Sequence, residues 1–266
     1  MPPPPQLQNT VSAGFYWDRK TMERFNEPLF LESYGYKVFS QNEEDGIIAE
    51  IFKRIGTTNK RFIEFGVQSG LESNTHYLLH NNWNGLWIEG DVAQYEQIIA
   101  KFNFVVNNRQ LIVHNDYVTR FNINNIFKSH GFTGEIDLLS IDVDGNDYHL
   151  LQQVDVINPR VIVIEYNGKF PPECEWIMAY DETYRWNGTD KHGASLKSIT
   201  MLAQSKGYQL VGTNVIGVNA FFVRKDLTKK LFPFPATAEN LFNPLRCHHN
   251  IRFQNGHPAA ECLKNN

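Results

Sequence analysis

The chain has 266 residues, a formal net charge of −4, 42% hydrophobic residues and 20% charged residues. These values are typical of a globular protein built on one α/β domain with embellishments. The acidic balance argues against a protein that binds nucleic acid mainly through a basic face, although it leaves room for a local basic patch. No apolar run reaches the roughly 18 residues that a membrane-spanning helix needs, so we expect no membrane span.

The cysteines and the two ends of the chain indicate the cellular compartment of the protein and its domain boundaries. Cys174, Cys247 and Cys262 are odd in number and form no C-x-x-C pair, which predicts reduced thiols and a cytoplasmic protein. The first ten residues lack the apolar core of a signal peptide and are expected to be disordered. We predict a partly disordered lead-in at 1–40, a domain at 41–232 with an insert at 171–193, and a tail at 233–266.

Apolar periodicity predicts helices and strands that alternate along the chain. Helices are predicted at 41–55, 73–81, 92–102, 122–129, 148–156 and 194–206. Strands are predicted at 61–65, 85–89, 111–115, 136–141, 161–164, 208–211 and 220–223. This order indicates an α/β doubly wound, Rossmann-like sheet of about seven strands, with helices on both faces. The sheet is mostly parallel, and the last two strands form an antiparallel pair at its edge.

Residues 61–91 have the layout of a nucleoside-binding βαβ unit. The first strand runs into Gly66 and Gly70, and the second ends at the acidic pair Glu89 and Asp91. Glycines let the backbone approach a ligand, and an acid about 20 residues further on accepts hydrogen bonds from ribose hydroxyls. The G-x-x-x-G spacing favours S-adenosylmethionine (SAM) over a dinucleotide, because SAM has no pyrophosphate to cradle.

Four successive predicted strands end at acids, where doubly wound sheets bind their ligands. These acids are Glu89, Asp116, Asp142 and Glu165. Alternate side chains of an extended segment share a face, so Asp144 lies beside Asp142 and Asn167 beside Glu165. The four oxygen ligands Asp142, Asp144, Glu165 and Asn167 can converge on a hard cation such as Mg²⁺. Alternatively, Asp144 and Asp147 cap the helix that follows.

Five ordered motifs carry a family resemblance over about residues 40–227. They are IEFGVQSG at 63–70, GLWIEGD at 85–91, IDLLSIDVDGNDYHLL at 136–151, VIVIEYN at 161–167 and GVNAFFVRKDL at 217–227. In this order they resemble class I SAM-dependent methyltransferases, specifically the FkbM-like branch and related proteins associated with sugar and polysaccharide modification. The chain departs from that pattern at 140–145, where it has Ser-Ile-Asp-Val-Asp-Gly and many such proteins have Lys-Ile-Asp-Val-Glu-Gly.

The resemblance implies a role for each matching residue. Glu64, Gly66 and Gly70 would line the methionine end of SAM, and Glu89, next to Asp91, would bind the ribose hydroxyls. Asn115 and Asp116 would lie beside the adenine, and Asp142 would face the methyl group or its acceptor. The implied activity is methylation of a hydroxyl on a sugar or glycan precursor, with Mg²⁺ or another divalent cation as an expected helper.

Methyl transfer to oxygen releases a proton, so a base or a cation is needed. Asp142 and His192, at the end of the insert, are the candidate catalytic residues. His149 lies within a predicted helix and is interpreted as structural, and His248 and His249 as a solvated pair. Gln41 and Glu44 are expected near the cofactor. The insert aromatics either pack onto the sheet or stack on sugar rings: Trp176, Tyr180, Tyr184 and Trp186.

Other activities remain open at this point. An NAD-dependent oxidoreductase can use the same fold, although the glycine spacing argues against it. An N-methyltransferase would need the same cofactor and a different acceptor. A non-catalytic scaffold is disfavoured, because a decayed site has no reason to keep acids at four strand ends. The sequence does not fix the acceptor or the oligomeric state.

Overall fold

The computed structural model describes residues 13–246, which form a seven-stranded sheet between two layers of helices. The strands are β1 (Arg61–Phe65), β2 (Asn84–Glu89), β3 (Leu111–Asn115), β4 (Gly134–Ile141), β5 (Ile157–Glu165), β6 (Tyr208–Thr213) and β7 (Asn219–Arg224). The longer helices are α1 (Ala13–Phe25), α2 (Glu44–Ile55), α4 (Val92–Lys101), α6 (Ile123–Ser129), α7 (Asp147–Gln153) and α8 (Leu196–Ser205). The short helices are α3 (His76–Leu79), α5 (Asn103–Asn107), α9 (Lys225–Thr228) and α10 (Ala238–Leu241), with a 3₁₀ turn at Glu32–Tyr34.

The strand order is β3-β2-β1-β4-β5-β7-β6, which confirms the predicted fold class. The five strands from β3 to β5 are parallel, and β7 inserts antiparallel between β5 and β6. The chain builds outward from β1 to β3 and then returns to place β4 on the other side of β1. Ligand crevices in open α/β sheets form at such a reversal, at the carboxyl ends of the strands.

Two hydrophobic cores cover the two faces of the sheet, because successive strand residues point to opposite sides. Ile63 and Phe65 of β1 belong to the core that includes residues of α6, α7 and α8. Phe62 belongs to the other core, which includes residues of α2 and α4. Every residue from Ile136 to Ile141 is buried, as expected for a strand covered on both faces.

Several predicted boundaries differ from those observed, and two of these differences have a clear local reason. The helix predicted at 73–81 shrinks to α3, because the backbone at Asn74 and Thr75 donates to the carboxylate of Glu64. Strand β5 begins four residues earlier than predicted. Its first residues pair with Gly134–Ile136 of β4 even though Pro159 lacks an N–H donor.

The described parts of the two terminal segments pack against each other. The Arg24 guanidinium on α1 donates to the carbonyl oxygens of Asn240 and Phe242, at 2.6 and 3.0 Å. Thr21 donates to the side chain of Asn243 at 2.8 Å, and Phe242 is buried in the main core. The predicted disorder of residues 1–10, the pair His248 and His249, and two of the three cysteines lie outside the described residues. The proposed division into lead-in, domain and tail stays a prediction.

None of the helices between residues 13 and 246 combines the length and the apolar character needed to cross a bilayer.

Candidate active site

A cavity of about 200 Å³ opens at the carboxyl ends of β1, β4 and β5 and at the start of β7. Its walls come from the loops that follow these strands, from the segment before α2 and from the end of the insert. Seven of its lining residues were singled out as site residues from the sequence: Glu64, Gly66, Asp142, Asp144, Glu165, Asn167 and His192. The structure thus brings all four predicted metal ligands, but only some of the predicted cofactor residues, to one cavity.

Gly66 joins the loops after β1 and β4. Its backbone has a φ of +81°, in the region that favours glycine. A Cβ atom at this position would lie 1.4 Å from the backbone oxygen of Asp142. No side chain fits in that gap, so the first glycine of the motif is required for the close approach of the two loops.

Glu64 shapes the loop over the cavity. Its carboxylate accepts hydrogen bonds from the backbone of Asn74 and Thr75, at 2.8 and 3.0 Å, and from the hydroxyls of Thr75 and Ser140. Burial raises the pKa of Glu64, although these bonds act in the opposite direction. The residue therefore folds the 66–75 loop back onto the sheet, in addition to lining the cavity.

The predicted ribose-binding acid lies just behind that loop. Glu89 accepts hydrogen bonds from the backbone of Gln68 and Asp91, at 2.7 and 2.8 Å, and burial raises its pKa. Asp91 caps α4 by accepting from the backbone of Gln94 at 2.9 Å. Neither acid lines the cavity.

Three further predicted cofactor residues lie away from the cavity. Gly70 packs against the indole of Trp87, and a Cβ atom at this position would lie only 2.5 Å from that ring. The side chain of Asn115 donates to the carbonyl of Glu89 at 2.7 Å. Asp116 lines a separate shallow cleft at the end of β3. A contact between these residues and the cofactor stays a prediction.

Three carboxyl groups converge in the cavity floor. One oxygen each from Asp142, Asp147 and Glu165 lies within 4.8 Å of the others, the only such group of three found among residues 13–246. Burial, followed by mutual repulsion, raises the pKa of Asp142 and Glu165 well above the ordinary range. Burial also raises the pKa of Asp147 to about 6. Such a cluster needs a proton or a cation, and its oxygen donors suit a hard divalent ion.

The third acid of the cluster differs from the predicted metal set. Asp147, which was expected to cap a helix, accepts hydrogen bonds from the backbone of Val143 and Gly145 in the loop before α7. The amide of Asn167 donates to the carbonyls of Asp190 and His192, at 2.8 and 3.1 Å, and so fixes the end of the insert. The set with Asp144 and Asn167 stays a prediction, and the structure adds Asp147 to it.

His192 stands beside the acids. Its Nδ1 lies 4.0 Å from Oε2 of Glu165, and no hydrogen-bond partner for either atom occurs among the described residues. Burial lowers the pKa of His192, which favours the neutral imidazole that can accept a proton. His149 instead bonds the carbonyl of Met178 through Nε2 at 2.7 Å, which agrees with a structural role.

The comparisons with known proteins give the family. The model of the methyltransferase FkbM domain matches residues 64–210, more than half of the chain. The chain belongs to the FkbM methyltransferase family. It is thus a SAM-dependent methyltransferase, as the sequence motifs predicted. A search of curated proteins gave no match.

Solved structures similar to this FkbM domain include three methyltransferases. The methyltransferase domain of bacterial CtHen1-C is 12% identical, with a TM-score of 0.45 over 69% of this chain and 97% of that one. TrmK from M. capricolum, with S-adenosylhomocysteine (SAH), is 13% identical, with a TM-score of 0.42 over 66% and 67% of the chains. The N-terminal domain of EvdMO1, with SAH bound, is 12% identical, with a TM-score of 0.41 over 79% and 94%. At these scores none of them supports an inference about substrate.

One aromatic residue of the insert in this FkbM domain reaches the cavity. Trp186 is part of the lining, and its ring centroid lies 6.1 Å from that of His192. The other three have packing partners: Trp176 stacks on Phe170, Tyr180 lies under the Arg120 guanidinium, and Tyr184 covers Gly145. Of the four aromatic residues, only Trp186 is therefore placed where it could contact a ligand, whereas the other three pack within the protein.

The cavity is also lined by residues that sequence reasoning missed. Asn42 and Asn219 line the cavity from outside the matched region, whereas Glu44, expected near the cofactor, is buried behind them. Gln41, expected there as well, does line the cavity. The pairing of β7 with β5 is the one signal that would have placed Asn219 next to Glu165.

Proposed function

We propose that this methyltransferase transfers the methyl group of SAM to a hydroxyl of an uncharged sugar or glycan precursor. One observation carries the proposal. His192 and Glu165 are half-buried and line the cavity with Asp142, and their buried atoms Nδ1 and Oε2 have no hydrogen-bond partner among the described residues. This arrangement suits an acceptor that must lose a proton beside the methyl donor.

Each residue has a separable part in the chemistry. Bound SAM supplies an electrophilic methyl group. The loop that begins at Gly66 holds the methyl donor. The cavity walls hold the acceptor hydroxyl in line with the methyl group. His192, neutral because of its lowered pKa, accepts the hydroxyl proton at Nδ1, and Glu165 stabilises the resulting imidazolium from 4.0 Å. Asp142 faces the acceptor from the floor.

The charge of the lining supports an uncharged acceptor. Among the described residues the cavity is lined by five acids and by no lysine or arginine: Glu64, Glu72, Asp142, Asp144 and Glu165. The ionised acids would repel a phosphate when no cation is bound, and no lysine or arginine of the lining offsets that repulsion, which disfavours the phosphate groups of a sugar nucleotide there. Trp186 offers the apolar ring face on which the C–H face of a sugar can stack.

A divalent cation is a further element of the proposal. Asp142, Asp147 and Glu165 would hold it, with Asp144 and Asn167 at the rim. Its presence would lower the pKa of an acceptor hydroxyl and relieve the repulsion within the cluster. The composition of the chain and the unpaired pattern of its cysteines in the sequence support a cytoplasmic enzyme with a small-molecule or glycan acceptor, and they do not favour a nucleic-acid substrate.

Transfer of labelled methyl from SAM to a panel of neutral monosaccharides and methyl glycosides tests the proposal. We expect His192→Ala to lower kcat by a factor of about 10² or more, as for loss of a general base, with SAH affinity unchanged. The matched control is His149→Ala, which removes a histidine from the same domain but outside the cavity. Equal kcat values for the two variants, or no methylation of any neutral sugar by the wild type, would contradict the proposal.

The cation is tested in the same assay by chelation. If the acid cluster holds a cation, EDTA will abolish turnover, added Mg²⁺ will restore it, and SAH affinity measured by calorimetry will stay the same. Full turnover in EDTA would leave the methyl-transfer proposal standing and remove the cation from it.

A further inference from the structure

Asn219, at the start of β7, lines the cavity and has a buried side-chain oxygen without a hydrogen-bond partner among the described residues. The residue is 3% exposed and lines the cavity, and no donor among residues 13–246 lies within hydrogen-bonding distance of its Oδ1. An unsatisfied buried carbonyl costs free energy, so a native protein that keeps one usually has a use for it.

The orientation of this side chain is fixed by Glu44. The amide nitrogen of Asn219 donates to Oε1 of Glu44 at 3.0 Å, and a carboxylate can only accept. The amide oxygen must therefore be the atom on the opposite side. The same Glu44 oxygen accepts from the amide of Asn214 at 2.8 Å, and Oδ1 of Asn214 holds the backbone of Asn219 at 3.0 Å. The whole group is buried and rigidly bonded.

A second unpaired acceptor lies on the neighbouring strand. Asn219 is the antiparallel register partner of Glu165, and directly opposed residues project from the same face of a sheet, about 5 Å apart at Cβ. Oε2 of Glu165 also has no partner within the described chain. Two unpaired acceptors on neighbouring strands suit a ligand that carries several hydroxyl donors, and a sugar is such a ligand.

The position in the sheet assigns Asn219 to the acceptor and not to the cofactor. Strand β7 is separated from β1 by β4 and β5, so three strand spacings, roughly 14 Å, lie between Asn219 and the Gly66 turn. We propose that Asn219 is a specificity-determining residue, whose Oδ1 accepts a hydrogen bond from the sugar hydroxyl next to the one that is methylated. This inference rests on the proposed function, because it takes the acceptor to be a sugar.

The test compares wild type and Asn219→Ala on two sets of substrates. The probes are methyl glycopyranosides of glucose, galactose and mannose, and their monodeoxy analogues, with methyl-labelled SAM. For a methylated glycoside we expect Asn219→Ala to lower kcat/KM about five- to tenfold, the worth of one neutral hydrogen bond. For the analogue that lacks the neighbouring hydroxyl, wild type and variant should give equal values. SAH affinity, measured by calorimetry, should agree within twofold and also reports that the variant is folded.

Each of the other possible results also supports or contradicts the role proposed for Asn219. A tenfold loss of SAH affinity in Asn219→Ala would assign the oxygen to the cofactor and overturn the inference. An equal loss against every deoxy analogue would make Asn219 merely structural. If Asn219→Ala does not fold, Glu44→Gln keeps the shape but frees the amide to rotate, and the same substrate-dependent loss is expected. Wild type that methylates none of the glycosides refutes the proposed function, whereas methylation unaffected by both variants refutes this inference alone.

Discussion

Replacement of Gly66 by alanine is the sharpest single perturbation of the site. The added Cβ atom would lie 1.4 Å from the backbone oxygen of Asp142, about 2 Å closer than ordinary contact. Both sides of the clash are backbone, so no side chain can rotate away. The loops after β1 and β4 must separate by roughly that distance, and the cavity they form must change shape.

The cost has two parts that can be separated. Forcing alanine into a backbone with φ of +81° costs roughly 1–2 kcal/mol. The clash adds a further penalty of about 1–3 kcal/mol, as for an overpacked core, so the free energy of unfolding should fall by about 2–5 kcal/mol in total. Gly131→Ala is the matched control, because Gly131 has a φ of +72° with nothing within 4 Å of a Cβ atom.

Urea denaturation and SAH calorimetry on the two variants measure both effects. We expect Gly131→Ala to lose only about 1–2 kcal/mol and to bind SAH like wild type. Gly66→Ala should lose at least 1 kcal/mol more and bind SAH at least tenfold more weakly. Equal destabilisation of the two variants, or wild-type SAH affinity in folded Gly66→Ala, would refute the role given to this turn.

Three other changes test separate parts of the account. Burial beside Glu44 raises the pKa of Glu43 to about 7, so its stabilising contribution is complete below about pH 4.5 and is lost as the pH rises through 7. Glu43→Gln should therefore raise the free energy of unfolding by up to about 3 kcal/mol at pH 8, and little at pH 4.5, in urea denaturation. Asp137→Ala strips the buried Arg160 of its partner at 2.8 Å and should cost about 3–5 kcal/mol. Trp186→Ala should raise the KM for an accepted sugar about tenfold and leave SAH affinity unchanged.

For each of these three predictions, one result would contradict the reasoning. The same stability change for Glu43→Gln at both pH values would show that its carboxyl group titrates normally. A loss below 1 kcal/mol for Asp137→Ala would mean that Arg160 finds other acceptors. An unchanged KM for Trp186→Ala on every accepted sugar would remove the indole from the acceptor site.

The sheet was predictable because its central strands β1, β4 and β5 are buried on both faces, and because each of the five parallel strands ends at, or one residue before, a glycine or an acid. Strands β1 and β3 begin and end where the apolar runs do. The helix after β1 was not predictable in length. Its first turn is replaced by a loop that depends on Glu64, ten residues earlier in the chain. Such side-chain bonds to backbone leave no periodic signal.

The candidate site was predictable in part: of the four strand-end acids, Asp142 and Glu165 line the cavity, and Glu89 and Asp116 do not. Asp147 appeared to be a helix cap from its spacing, yet the loop turns its carboxyl group toward Asp142 and Glu165. Asn219 gave no local signal, because its importance comes from pairing with Glu165 more than 50 residues earlier. Charge, burial and long-range pairing decide these roles, and only the folded chain shows them.

A crystal structure of the enzyme soaked with SAH tests the central claim most directly. We predict the homocysteine end of SAH against the Gly66 turn, with its sulfur directed toward Asp142 and the side of the cavity lined by Glu165, His192 and Trp186 left open. SAH bound elsewhere on the protein, or with its sulfur turned away from Asp142, would contradict the assignment of this cavity as the site of methyl transfer.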